Sequence, residues 1–197
     1  MMIYLNLAVV LLIAVSSAIG TAKACASKWQ GNFKKICLVT GLVTVLSTAI
    51  SVLFDGPGLS SIKTILLCCT FCFASYGDIK THTAEDYIHV LVLAISLIGK
   101  DVNALPSNIL TALILVGLML IVAIFIGGAG IGGADIKFVA ACSFLSNMLG
   151  CFFGFGLGLF VALLFNSPLL KKKGAANAFP MLPYLSCGYM LVHLLSV

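Results

Sequence analysis

Apolar stretches of membrane or near-membrane length follow one another from end to end of this chain, each cut off by a short polar or glycine-containing break. In order they occupy residues 3–21, 36–54, 62–76, 87–99, 108–126, 138–165 and 179–197. A water-soluble fold has no use for this pattern. Only 9% of the residues are charged and the mean hydropathy is +1.20, where a soluble domain carries about 25% charged residues. Most of the surface must therefore meet lipid. The expected fold is an all-α, polytopic transmembrane helix bundle of about six to eight membrane segments. It forms a single integral membrane domain over residues 1–197, with no linker or low-complexity tract.

The charges test this division. All eleven basic residues are lysine, which argues against nucleic-acid or phosphate recognition, where arginine forks are favoured. The bilayer is the expected partner and nucleic acid is not. The stretch 138–165 is too long for one span and divides at Ser146, Asn147 and Gly150. With an outside N-terminus and every segment crossing, Lys23, Lys28, Lys34, Lys35, Lys80, Lys137, Lys171, Lys172 and Lys173 share one side. Lys63 and Lys100 take the other. That is the positive-inside pattern, and an undivided 138–165 breaks it. The first segment has no lysine ahead of it, which is the wrong polarity for a cleaved signal. Residues 22–35 and 77–86 are read as polar loops. The third, fourth and sixth segments fall short of the ~17 residues that cross the hydrocarbon.

The eight cysteines lie mostly inside apolar runs. Cys68, Cys69 and Cys72 stand close together, yet no His or Cys pair stands at zinc-ligand spacing. Buried thiols behave as small hydrophobes. No metal, cofactor or disulfide is expected.

Six acidic residues remain. Asp55 and Asp101 fall in outside loops and read as turn residues. Asp78, Glu85, Asp86 and Asp135 fall inside. Asp78 and Asp135 each follow an apolar stretch and stand beside glycine: Gly77 before one, and Gly130, Gly132 and Gly133 before the other. An ionisable group at a membrane edge is costly unless it lines a polar cavity, and glycine permits close backbone approach. Two carboxyls brought together share a proton, so one activates water while the other supports the oxyanion. The competing reading is an Asp–Lys helix end that anchors at the interface or caps a helix.

Gly132-Gly133-Ala134-Asp135-Ile136-Lys137 resembles the GxGD signature of intramembrane aspartic peptidases, in the form typical of type IV prepilin peptidases. Asp78-Ile79-Lys80-Thr81-His82-Thr83 resembles that family's other motif, an Asp closing a membrane helix before a short basic loop. Residues 179–184 and Gly188 resemble the Pro-rich opening of its last helix. The resemblance spans about residues 66–197. Ala134 stands where the signature has its second Gly, and Ala84, Glu85 and Asp86 stand where the family usually carries Ile-Pro-Asn.

The resemblance implies a membrane aspartic endopeptidase with Asp78 and Asp135 as catalytic pair and Gly132, Gly133, Ala134, Lys137 and Lys80 in support. The implied substrate is a prepilin-like precursor, of type IV pilin, tight-adherence pilin or archaellin type. It would be cut between a short basic leader and an apolar helix, at the cytoplasmic face of the cell (inner) membrane. Nothing matches the paired CxxC segment of the larger members, so no N-methyltransferase activity is expected. Glu85 and Asp86 are candidates to attract the leader, or solvated loop residues. Lys80 and Lys137 either hold one Asp ionised or snorkel to the interface. His82, His89 and His193 are not expected to act in catalysis. Two rivals stand beside the peptidase: an ion- or proton-coupled transporter subunit using the same acids, and a non-catalytic membrane assembly protein.

Overall fold

The computed structural model describes residues 2–125, 132–173 and 180–195. These residues form helices α1 (Met2–Trp29), α2 (Phe33–Asp55), α3 (Leu59–Thr81), α4 (Asp86–Leu97), α5 (Leu105–Phe125), α6 (Gly133–Cys142), α7 (Met148–Lys173) and α8 (Leu182–Leu195). A 3-10 turn, Val102–Ala104, precedes α5. There is no strand among the described residues. Helices α1, α2, α3, α5 and α7 are each long and apolar enough to cross a membrane. The chain is an all-α, multi-pass bundle, as its apolar periodicity predicts.

The division of residues 138–165 holds: α6 ends at Cys142 and α7 starts at Met148. Two expected loops do not. Most of 22–35 continues α1, because Ala22 and Cys25 bury against Ile36 of α2. Residues 77–81 continue α3, so the third segment has 23 residues and is not short. Trp29 explains that extension. Its indole lies 4.9 Å from the Phe73 ring and 5.8 Å from the Tyr76 ring. A Cβ on Gly77 would lie 2.8 Å from Trp29 Cζ2, so only glycine admits the indole there. The helix then ends at His82, whose φ of 52° is left-handed and whose N–H reaches Asp78 O at 2.9 Å.

Helices α4 and α6 are short, with 12 and 10 residues. At 1.5 Å per residue they measure about 18 and 15 Å, against about 30 Å of hydrocarbon. Their terminal carbonyls therefore need partners other than water. Lys63 Nζ donates to Ser96 O (3.0 Å) and Ile98 O (3.1 Å) at the end of α4. Asn108 Nδ2 donates to Ser143 O (2.7 Å) and Ser146 O (2.9 Å) beyond α6. Lys100 Nζ adds a bond to Ser146 O at 2.9 Å.

These bonds define one end of the bundle, where α3, α5 and α7 start and α4, α6 and α8 finish. At the other end α1 and α3 finish, and α2, α4, α6 and α8 start. The eleven lysines thus divide as the sequence pattern predicts, with Lys63 and Lys100 apart from the other nine.

The main core gathers residues from α3 to α8, including Leu67, Phe71, Val92, Met119, Phe138 and Tyr189. Helices α7 and α8 approach closely. A Cβ on Gly188 would overlap Gly154 O and lie 2.7 Å from Gly158 N. Small residues at such a crossing let two membrane helices pack backbone to backbone.

Candidate active site

Asp78 lies in the last turn of α3 and Asp135 in the first turn of α6. Both are nearly buried, at 6% and 7% exposure, although they stand at the end of the bundle where Gly132 and Gly133 are open to solvent. Each carboxyl is fixed by a helix N-terminus. Asp78 Oδ2 accepts from Leu182 N at 2.9 Å, the start of α8, whose first N–H groups have no partner within their own helix. Asp135 Oδ2 accepts from Gly132 N at 3.0 Å, closing the start of its own α6. Asp135 therefore sits where its own helix dipole favours negative charge, while Asp78 sits at the disfavoured end of α3 and meets the favourable start of α8.

The two helix faces look at one another. Phe71 lies two turns before Asp78 on the same face of α3, and Phe138 lies one turn after Asp135 on the same face of α6. Their ring centroids are 5.4 Å apart. This aromatic contact lies deeper in the bundle than the acids.

The glycines beside the acids serve two different purposes. Gly77 seats Trp29, as described above. Gly132 has an ordinary extended backbone (φ −80°, ψ 150°), but a Cβ there would come within 3.3 Å of Asp135 Oδ2. Its value is close approach, with no left-handed backbone involved. Gly133 is open, with nothing near its Cβ position, and Ala134 is half-buried. Gly130 and Phe179 lie outside the described residues.

The lysines beside the acids do not pair with them. Lys137 Nζ bonds Asp86 Oδ1 at 2.6 Å. Lys80 is exposed and lies over the Tyr76 ring, 5.8 Å from its centroid. Glu85 pairs with Lys28 of α1; this hydrogen bond holds its carboxyl below the usual range. Glu85 and Asp86 thus already carry cations from the chain itself. Sequence reasoning missed Lys28 and Leu182. Nothing local marks either one, because each acts on a residue more than fifty positions away.

No histidine ring is hydrogen-bonded to either acid among the described residues. His82 caps α3, His193 shares a 3.2 Å bond with Thr64 at the far end, and His89 meets Phe138 edge-on with centroids 6.3 Å apart. All eight cysteines are free thiols.

Two buried carboxyls thus lie at the same end of an all-α bundle. Residues 65–169 match the model of the type IV leader peptidase family. The match takes in more than half of the chain, including both acids and their helices, and the chain belongs to that family. It is a multi-pass membrane peptidase by family. Helix α8, which supplies the Leu182 N–H, lies beyond the matched residues. No curated protein and no solved structure matches the chain.

Proposed function

We propose that this protein is an aspartic endopeptidase that removes the short basic leader from prepilin-like precursors, using a water held between Asp78 and Asp135. The observation that carries the reading is the pair itself: two buried carboxyls at the same end of the bundle, each held by backbone N–H at a helix start, with no ion pair to a lysine among the described residues. A protonated and an ionised carboxyl in one pocket perform general acid and general base steps together. In this reading the ionised member takes a proton from water as the oxygen attacks the peptide carbonyl. The protonated member gives its proton to the carbonyl oxygen. Collapse of the tetrahedral intermediate then expels the amine, which is protonated as it leaves. The chemistry asks for no metal and no cofactor.

The nine-lysine end is proposed to face the cytoplasm of the cell membrane, following the positive-inside rule. A precursor's basic leader would then reach the acids from that side while its apolar helix stays in the bilayer. Glu85 and Asp86 are proposed to draw the leader in, in competition with Lys28 and Lys137. Gly132, Gly133 and Ala134 shape the turn that carries Asp135.

The test is co-expression with a pilin-like precursor, following its mass. The intact protein should shorten the precursor by its leader. Asp78→Asn and Asp135→Asn should each slow that step by about 10²-fold or more, while the protein still enters the membrane. Cleavage that survives in either variant rejects the pair.

A further inference from the structure

A cavity of about 380 Å³ lies at the end of the bundle opposite the acids, lined by Lys63, Lys100, Ser60, Asn147 and His193 among others. Lys63 is only 9% exposed. An ammonium carries three donors. Carbonyls take two from Lys63 and one from Lys100. Those bonds explain where the two Nζ atoms point, since they close the ends of α4 and the α6–α7 turn. They do not neutralise the charge. The two lysines are near enough for the Lys100 charge to act on Lys63. Among the described residues neither has an ion pair.

The acids at this end hydrogen-bond neutral groups, and Asp55 reaches the cavity edge through Ser60. Asp55 Oδ2 accepts from Ser60 Oγ at 2.7 Å, and Asp101 Oδ1 accepts from Asn103 N at 3.0 Å and Asn103 Nδ2 at 3.1 Å. Neither lines the cavity. Two helix starts add to the positive potential. Leu59 and Ser60 open α3, and Ser146 and Asn147 lead into α7. Free N–H groups at helix starts favour anions.

We propose that this cavity is a binding site for a phosphate-type anion, supplied by an anionic lipid headgroup or by free phosphate. Lysine serves phosphate as a point charge. Two such charges with spare donors, in a partly enclosed space at a bundle end, are the chemistry that recognises it. Burial pulls Lys100 below its ordinary value, a cost that a bound anion would offset.

The experiment is thermal unfolding of the full chain in a neutral detergent. It is titrated separately with short-chain phosphatidylglycerol, with inorganic phosphate, and with chloride at matched ionic strength. A saturable rise in Tm with phosphatidylglycerol alone assigns the headgroup, and a rise with inorganic phosphate assigns the free anion. In Lys100→Gln the midpoint should weaken by about tenfold, the loss expected for one charged hydrogen bond. Lys100→Arg should restore it, and Lys34→Gln at the other end should leave it unchanged. If no additive exceeds chloride, or if Lys100→Gln responds as the parent does, the proposal fails. Lys63→Gln serves as a second variant where it folds; Lys100→Gln decides the matter where it does not.

Discussion

The two ends of the bundle handle charge in opposite ways. At the α8 start, Lys28 and Lys137 are matched by Glu85 and Asp86, and the acids left over are Asp78 and Asp135. At the α8 finish, Lys63 and Lys100 rest on carbonyls and Asp55 and Asp101 on neutral side chains, so the buried charge there without an ion pair among the described residues is the Lys63 ammonium. A chain with so few charged residues has little to spare for decoration. Burying a charge is costly without a partner, so a buried charge without an ion pair marks a place where something else is meant to bind or react.

The comparison breaks first at the acids. If the two buried acids are the engine, Asp78→Asn and Asp135→Asn each cost about 10²-fold or more in precursor cleavage. Lys100→Gln, at the other end, leaves the cleavage rate near that of the parent, measured by the same mass assay. Comparable losses at both ends would dissolve the distinction.

The next largest effect tests what positions Asp78. Gly188→Val forces α8 away from Gly154 and Gly158, and overpacking of this kind costs about 1–3 kcal/mol or more. Because α8 carries the Leu182 N–H, the variant should lower Tm and slow cleavage together. Asn108→Ala tests the other end. It removes the amide donor shared by two buried carbonyls, Ser143 O and Ser146 O, of which Ser146 O keeps Lys100, and should cost about 1–3 kcal/mol. Cleavage by the folded fraction should persist, so denaturation and activity separate here and not at Gly188.

The smallest effect is a gain. His82 holds a left-handed backbone at φ 52°, where glycine is at ease. His82→Gly should raise stability by up to about 1 kcal/mol in chemical denaturation. A loss would show that the imidazole does more than end α3.

Much of the architecture was legible in the residues. Ser146, Asn147 and Gly150 marked the break between α6 and α7, and the lysines fixed which helix ends belong together. Asp78 and Asp135 stood out because each follows an apolar stretch beside glycine, in motifs that resemble those of the leader peptidases. The extension of α3 through Asp78 was not, since Gly77-Asp78-Ile79-Lys80 reads as a polar break unless Trp29 is known to sit on Gly77. The partners of Glu85 and Asp86 were also hidden, as was the anchoring of Asp78 by α8.

The sequence by itself determined that this chain is a lysine-sorted bundle of membrane helices, because apolar length and charge placement are local properties read along the backbone. Only the tertiary structure decided which charges cancel and which remain. That outcome depends on distances between helices far apart in sequence, and electrostatic energy follows separation in space.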